Sequence, residues 1–229
     1  MGAREYHPQE MATLATFQKK PYEVWKWYLY RMGVCAAAEP NSGHEAIAEM
    51  EKRFPGRFKL ITQNVDNLHL RAGSSLEHTY QIHGNIFYAR CLAECGPGIA
   101  PLPDGLKGKN KGEKLSAEEK SLLLCPDCGS LLRPHVLWFD ETYNEAHYHF
   151  QSSLQAAENT DLLLTVGTSG STNLPNQVAW LVYQNGGMII DINPEKNPFS
   201  ELAEKSKGGA YLRGSSARLL PEIAGILTG

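Results

Sequence analysis

The sequence of 229 residues lacks the features that mark several large classes of protein. It has no apolar run that approaches the ~20 residues of a membrane-spanning helix, and its first residues, MGAREYHPQEM, lack the apolar stretch of a signal peptide. It also has no excess of positive charge, because the formal net charge is −3 at pH 7. We therefore expect neither nucleic acid nor a membrane as a partner. The content of 42% hydrophobic and 21% charged residues is typical of a folded globular protein.

Cysteine is scarce, but four of the five cysteines form two close pairs, C-x3-C and C-x2-C, separated by 29 residues. The four are Cys91, Cys95, Cys125 and Cys128. Zinc prefers four thiolates at tetrahedral positions, which leaves no position for a reactive water. We therefore predict a structural zinc ion in a cytoplasmic protein, where cysteines stay reduced. Gly96 and Gly129 follow the two pairs and would allow tight turns, whereas Cys35 is interpreted as a helix-packing residue.

Short apolar segments alternate with amphipathic ones along most of the chain. The segments predicted to be helices are 21–34, 43–54, 143–159, 174–187 and 215–229, and the predicted strands are 57–62, 79–84, 133–139, 161–166 and 187–193. This alternation predicts an α/β fold, with a parallel sheet covered by helices on both faces. Residues 96–114, which are rich in glycine, proline and lysine, are predicted to form an exposed loop.

Four predicted strands end in polar residues. These ends are Gln63-Asn64-Val65-Asp66, His83-Gly84-Asn85, Gly167-Thr168-Ser169 and Asn193-Pro194-Glu195. Taken singly, such residues are usually turn or capping residues. Taken together they predict a large polar ligand, because open α/β sheets bind ligands beyond the carboxyl ends of their strands. Gly167 would allow a close approach to the backbone, and Glu195 could accept hydrogen bonds from ribose hydroxyls.

The ordered motifs along the chain resemble those of the sirtuin family. They are TQNVDNLH (62–69), IHGN (82–85), the paired cysteines, RPHVLWFDE (133–141), GTSG (167–170) and INPE (192–195). The resemblance implies a Rossmann-like catalytic domain over residues 1–229 with a zinc-binding lobe at 88–132. It also implies that NAD is the co-substrate for removing acyl groups from protein lysines, which would be the partners. The oligomeric state stays open.

The resemblance assigns a role to each motif. His83 would be the general base that accepts a proton from a ribose hydroxyl, and an unperturbed imidazole pKa near ~6.5 suits that task. Asn64 would orient ribose and water, and Asp66 the cofactor. The implied cofactor-binding residues are Gln63, Asn64, Val65, Asp66, Gly167, Thr168, Ser169, Asn193, Pro194, Glu195 and Ser216. Val136, Trp138 and Phe139 would wall the acyl-lysine tunnel, where the substrate peptide would add as an extra strand.

Tyr28 and Arg31 lie three residues apart, so both project from nearly the same helix face. They match the Tyr/Arg pair of the sirtuin branch that prefers acidic acyl groups, and a guanidinium can bind a carboxylate through two hydrogen bonds. The resemblance thus favours malonyl-, succinyl- or glutaryl-lysine over acetyl-lysine. The alternative is a surface arginine beside a packed tyrosine. Many sirtuins have glycine where this chain has Asp140, which could alter the charge preference of the peptide cleft.

Sirtuins normally begin with a strand and a Gly-Ala-Gly-x-Ser turn, followed by a cofactor loop that carries an arginine. This sequence contains neither feature. The turn would place backbone N–H groups against the NAD pyrophosphate. We therefore hypothesise that the chain is truncated at its N-terminus and binds NAD weakly, which in-frame upstream coding sequence would test.

Three other functions stay open on the sequence. One is an inactive sirtuin-like protein that binds ADP-ribose or acylated peptide, and another is a mono-ADP-ribosyltransferase. The third is a zinc-ribbon protein that binds nucleic acid, which the acidic net charge disfavours.

Overall fold

The computed structural model describes residues 7–96 and 98–228, and the chain divides into two compact units. The first contains the described residues of Met1–Glu39, Thr62–Leu68 and Gln81–Tyr143. The second contains those of Pro40–Ile61, His69–Tyr80 and Asn144–Gly229. Among the described helices, no helix is long and apolar enough to cross a membrane.

The helices and strands alternate along the chain as follows. In chain order they are α1 (Pro8–Met11), α2 (Leu14–Lys19), α3 (Pro21–Ala37), α4 (Ser42–Arg53), β1 (Leu60–Thr62), α5 (Leu68–Arg71), β2 (Thr79–Gln81), β3 (Gly84–Cys91), β4 (Ala100–Pro101), α6 (Ala117–Leu122), β5 (Leu132–Val136), α7 (Glu145–Tyr148), α8 (Phe150–Glu158), β6 (Leu162–Val166), α9 (Asn173–Gln184), β7 (Met188–Asn193), α10 (Pro198–Lys205), β8 (Ala210–Arg213) and α11 (Ser216–Thr228). β1 and β2 form a two-stranded sheet.

The first unit is built on α3 and a small antiparallel sheet. The helix begins at Pro21 as predicted, and it buries one stripe of residues: Val24, Trp25, Tyr28, Leu29 and Met32. The sheet has the order β4-β3-β5, with β5 antiparallel to β3. Pro134 lies within β5, which its position at the end of the sheet allows, because proline cannot donate a ladder hydrogen bond. β3 itself was not predicted from the sequence.

Gly84 marks the point where β3 comes closest to β5. Its φ is +80°, and a Cβ at this position would collide with the carbonyl oxygen of His135. Only glycine fits both requirements. The predicted strand 79–84 is therefore two elements: β2 ends at Gln81, and β3 begins at Gly84.

The prediction that residues 96–114 form an exposed loop is wrong for Leu106, which is buried, and for Lys109, which is half-buried, whereas Lys107 and Gly108 are exposed as predicted. Leu106 is only 7% exposed, and Gly108 packs directly against the backbone of Gly33. The Lys109 backbone N–H donates to the carbonyl of Leu29 at 3.1 Å. The Lys109 ammonium forms ion pairs of 2.8 Å with Glu113 and with Glu119. Two glycines thus allow this segment to pack on α3, which composition alone did not indicate.

The second unit contains the predicted parallel sheet. Its order is β6-β7-β8, and the strands run parallel in continuous register from Leu162 beside Met188 to Asn193 beside Arg213. α4 packs against α11 through an apolar cluster that includes Ile47, Met50 and Leu220. The side chain of Asn41 caps α4. α10 and β8 were missed, although α10 begins with an Asn-Pro signal at Asn197.

The predicted helix 143–159 is broken. α7 ends before His149, which has a φ of +51° in the left-handed region, and α8 begins at Phe150. The His149 ring stacks on Tyr80, with ring centroids 5.0 Å apart. A contact with a residue so distant in sequence is not visible in the helical pattern.

Candidate functional site

His83 occupies a half-buried position just before β3 and is held from both sides. Its Nδ1 lies 3.1 Å from the carbonyl oxygen of Gln63. Because a carbonyl can only accept, Nδ1 carries the proton and Nε2 presents its lone pair in the neutral ring. Nε2 lies 2.7 Å from the hydroxyl of Tyr143. Burial lowers the pKa of His83 below 6.5, with a smaller opposing effect from Gln63, so the expectation of an unperturbed value is wrong.

The predicted cofactor segment 63–66 lies beside His83 in the first unit. The carbonyl of Val65 accepts the backbone N–H of Ile86 at 2.9 Å. The Asn64 backbone N–H bonds to the Thr62 hydroxyl, and the Asp66 carboxylate accepts the backbone N–H of Leu68 at 3.0 Å. Gln63, Asn64, Val65 and Asp66 therefore lie on irregular backbone after β1, and His83, between β2 and β3, contacts this segment through the carbonyl of Gln63.

Asn67 and Asn85 hold this segment in place, although only Asn85 is among the polar strand ends predicted from the sequence. Asn67 has a φ of +67°, and its side-chain oxygen accepts a hydrogen bond of 2.8 Å from Asn85. Asn85 is buried, and its own oxygen accepts the backbone N–H of Phe87. Asparagine tolerates the left-handed region better than most residues. The signal available in the sequence was the Asp-Asn pair at 66–67, which is typical of a tight turn.

Tyr28 and Trp138 meet inside the first unit. Both are 1% exposed, and the Trp138 indole N–H donates to the Tyr28 hydroxyl at 2.9 Å. The Arg133 guanidinium stacks on the Trp138 ring at 3.6 Å from its centroid and forms a two-point ion pair with Glu141. The structure thus brings together the predicted acyl-pocket residues Tyr28 and Trp138. It adds Arg133 and Glu141 as the residues that fix the indole.

Arg31 is half-buried, with its guanidinium 4.7 Å from the ring centroid of Trp27. The pKa of Cys35 is raised by burial and by the charge of Asp66, while the charge of Arg31 acts in the opposite direction. Arg31 and Asp66 therefore both lie close enough to Cys35 to affect its thiol. Cys35 packs against the apolar core of the first unit, in agreement with its predicted packing role.

Val136 is buried at the end of β5, whereas the Phe139 side chain is 67% exposed. In this segment the Leu137 backbone N–H donates to the carbonyl of His83, and the Phe139 backbone N–H donates to the carbonyl of Ala12. A peptide added here as a strand would therefore have to use carbonyls of the segment. Asp140, the departure from the family pattern, accepts the backbone N–H groups of Leu14 and Ala15. Its carboxylate caps the N-terminus of α2.

The residues predicted to bind the nucleotide side lie in the second unit, at the carboxyl ends of β6 and β7 and, for Ser216, at the start of α11. Gly167 has a φ of +59°, and the backbone there turns immediately after β6. The Asn193 side chain donates to the carbonyl of Thr168 at 2.9 Å, which ties the two strand ends together. The exposed residues of this set are Gly167, Ser169, Pro194 and Glu195, and the half-buried ones are Thr168 and Ser216.

Asp191 holds these strand ends in place through its carboxylate. It was not among the residues predicted from the sequence. It is fully buried in β7. Its carboxylate accepts hydrogen bonds from the hydroxyls of Thr165 at 2.7 Å and Ser200 at 2.6 Å, and from the Asn197 amide at 2.9 Å. These bonds link β6, β7 and the start of α10, and thereby fix the loop that carries Glu195.

The four paired cysteines converge as predicted. All four Sγ atoms lie within 4.8 Å of one another, and three of the separations are 3.5–3.6 Å. Four sulfurs about 2.3 Å from a tetrahedral zinc would be about 3.8 Å apart, so the donor set fits the metal in both chemistry and spacing. Cys91 and Cys125 are buried, and Cys95 and Cys128 are exposed.

The two knuckle turns use different residues. Gly129 has a φ of +73°, as a tight turn after Cys128 requires. In the first pair the left-handed residue is Glu94 at +52°, so the turn does not depend on Gly96 in the way expected. A hydrogen bond from the Cys95 thiol, with others from Ser130, lowers the pKa of Cys128 to about 6, which favours the thiolate that a metal requires.

The chain is similar to known proteins in sequence and in fold. The Sir2 family model matches residues 3–173. A protein of Leptospira interrogans named NAD-dependent protein deacylase is 38% identical over 221 residues, which cover 96% of this chain and 80% of that protein. A protein of the same name from Thermococcus kodakarensis is 36% identical over 222 residues, with 96% and 79% covered. A crystal structure of a Sir2 homologue with NAD is 32% identical, with a TM-score of 0.78 and coverage of 97% of this chain and 78% of that one.

Proposed function

The chain belongs to the Sir2 family, and from this premise we propose that it removes acyl groups from protein lysines with NAD as co-substrate. We further propose that it prefers acyl groups that end in a carboxylate, such as malonyl or succinyl. The observation that carries the first proposal is the His83 imidazole, with its proton fixed on Nδ1 by Gln63 and its acceptor atom directed away from that bond.

His83 is suited to the role of general base because its ring is neutral near pH 7. Burial lowers its pKa, so the lone pair on Nε2 is available to take a proton from a ribose hydroxyl. Gln63 acts through its backbone carbonyl and sets the tautomer. Asn64 and Asp66, on the same segment, are proposed to orient water and the cofactor. NAD, when bound, supplies the electrophilic ribose carbon at which the acyl oxygen reacts.

The nucleotide side of the proposed NAD site belongs to the ends of β6 and β7. Gly167 turns the backbone there with a positive φ, and Thr168 and Ser169 present hydroxyls after it. Glu195 is exposed and offers a carboxylate to ribose hydroxyls. Asn193, Pro194 and Ser216 complete the proposed set, with Asp191 as the support beneath it.

The preference for acidic acyl groups is proposed from Tyr28 and Arg31. The phenol of Tyr28 is buried against Trp138 and accepts its indole hydrogen, which fixes the position of the hydroxyl. Arg31 follows one turn later and brings a positive charge to the side of α3 that carries Cys35. A guanidinium and a phenol together can bind the carboxylate of an acidic acyl group, whereas an acetyl group carries no negative charge for them to bind.

The acyl preference is tested with acetyl-, malonyl- and succinyl-lysine peptides of one sequence, together with NAD. In Arg31→Met we expect acidic-peptide turnover to fall about 10- to 100-fold, because a charge-assisted hydrogen bond contributes roughly 1.5–3 kcal/mol. Acetyl-peptide turnover should change much less. Tyr28→Phe should reduce acidic-peptide turnover less than Arg31→Met does, and Tyr30→Phe on the same helix serves as the matched control. An unchanged ratio of succinyl to acetyl turnover in Arg31→Met contradicts the preference.

Nicotinamide release separates catalysis from binding alone. Release that depends on the acylated peptide supports the deacylase. Peptide binding without release indicates a binding protein.

The cysteine cluster is proposed to bind zinc and hold residues 88–132 together as a lobe of a single catalytic domain. The ligands lie at the end of β3 and around a turn before β5. Four thiolates complete a tetrahedral site, so the metal would be structural. Thiolate ligands of this kind persist in a reducing compartment, which is why we place the protein in the cytoplasm.

A further inference from the structure

Tyr143 has no assigned role, yet its hydroxyl lies 2.7 Å from Nε2 of His83. The two rings are nearly parallel, with an interplanar angle of 24° and centroids 5.9 Å apart. Because Gln63 fixes the proton on Nδ1, the phenol donates its hydrogen to the lone pair of Nε2. This is the atom that a general base must present to its substrate.

The bond leaves two arrangements for the reaction. Either the substrate hydroxyl displaces the phenol from Nε2, or the phenol stays in place and relays the proton from the substrate hydroxyl to Nε2. A relay requires a rigidly held phenol, because proton transfer depends closely on distance and orientation. Displacement requires a segment that can move without breaking a helix or a strand.

The backbone around Tyr143 favours displacement. Residues 141–144 lie in irregular structure between β5 and α7, and Thr142 and Asn144 are exposed. The segment is held on one side by Glu141, whose carboxylate binds Arg133. On the other side Asn144 caps α7 through the backbone N–H of His147. The Tyr143 side chain is only half-buried, and the two anchoring bonds are made by Glu141 and Asn144 and not by the Tyr143 hydroxyl.

We propose that Tyr143 is a placeholder that occupies the acceptor atom of His83 until a ribose hydroxyl of NAD displaces it. This inference rests on the proposed role of His83 as the base. Its consequence is that NAD binding must replace a protein hydrogen bond with a substrate hydrogen bond at the same atom. Tyr143 therefore weakens NAD binding and makes access to the base depend on the co-substrate.

The test is Tyr143→Phe, which removes the competing hydroxyl and keeps the ring. We expect NAD and ADP-ribose to bind about twofold to tenfold more tightly, because a neutral hydrogen bond contributes roughly 0.5–1.5 kcal/mol net. Calorimetric titration measures this. The ¹⁵N resonance of His83 Nε2 should also differ between Tyr143→Phe and the unaltered protein without ligand, and the difference should disappear when ADP-ribose is bound. A loss of structural support would weaken binding, so tighter binding separates the two explanations.

A fall in kcat of about 100-fold, with NAD affinity unchanged, would indicate a relay and overturn the proposal. Unchanged affinity with unchanged kcat would overturn it as well. Tyr183→Phe removes the hydroxyl of another tyrosine, on α9, and serves as the control. His83→Asn separates the two levels of inference. If His83→Asn keeps deacylation, the assignment of His83 as the base is wrong. If His83→Asn loses turnover but Tyr143→Phe binds NAD with unaltered affinity, only the placeholder role of Tyr143 is refuted.

Discussion

Each unit buries a carboxylate next to residues of the candidate site, and the two carboxylates have different partners. In the first unit, Glu141 is 16% exposed and pairs with the Arg133 guanidinium, with Arg90 3.8 Å away. In the second, Asp191 is fully buried and accepts three hydrogen bonds from neutral groups. Glu141 fixes an irregular segment after β5, while Asp191 lies within a strand.

The difference shows how the position of a carboxylate determines its partners. Within β7, Asp191 faces the neighbouring strand and the next helix, so nearby hydroxyls and an amide can surround it. Glu141 lies outside the strands, after β5, and the guanidinium of Arg133 in β5 contacts both its carboxylate and the Trp138 ring. Removal of one partner from a buried charge pair leaves an uncompensated charge and lowers stability strongly. Removal of one neutral donor from a set costs only the contribution of that hydrogen bond.

Arg133→Met should have the largest effect on stability. It leaves Glu141 without its main cation and removes the stacking on Trp138, so we expect the free energy of unfolding to fall by about 3 kcal/mol. Urea denaturation measures the change. The double variant Arg133→Met/Glu141→Gln should recover part of the loss, because it removes the uncompensated charge. Equal stabilities of the single and double variants would show that the charge pair is not what Arg133 contributes.

Asp191→Asn should have a smaller effect in the second unit. The amide keeps the volume but presents an N–H₂ group where Ser200 or Asn197 now donates, so we expect a loss of about 1–3 kcal/mol. The loop that carries Glu195 should also lose protection from hydrogen exchange. Ser200→Ala removes one donor only and should cost less than Asp191→Asn. A greater loss in Ser200→Ala would indicate that packing, and not the carboxylate, holds the loop.

Acidification should have the smallest effect, and it should arise in the first unit. Burial lowers the pKa of His83, so between that lowered value and about 6.5 the unfolded chain binds more protons than the folded protein. The contribution is fully present above pH 6.5 and is lost as the pH falls through the folded pKa, by at most about 1.4 kcal/mol per pH unit. His83→Asn should lack this part of the pH dependence. Histidine NMR titration that gives a pKa at or above 6.5 contradicts it.

The sequence predicted best those features that depend on residues close together in the chain. The start of α3 at Pro21, the strands at Leu162–Val166 and Met188–Asn193, and the turn at Gly167 follow from local pattern. α10 and β8 were missed, although Asn197-Pro198 is a helix-start signal that depends on local sequence alone.

Contacts between distant residues could not be predicted in the same way. His149, where the predicted helix breaks, stacks on Tyr80, and the segment that contains the buried Leu106 packs on α3 through a glycine pair, Gly33 and Gly108. The site shows the same limit, because Asn85 supports Asn67 and Asp191 supports the β6–β7 ends through bonds that no local period reveals.

By itself the sequence determined the family, the zinc ligands and the residues at the strand ends, because each of these is a choice of chemical group at a fixed spacing. The tertiary structure alone decided the state of those groups. It set the tautomer of His83 through a carbonyl 20 residues away and placed the Tyr143 hydroxyl, 60 residues away, on the other nitrogen. A hydrogen bond to an imidazole depends on distances of a few tenths of an ångström, and only the folded chain fixes those.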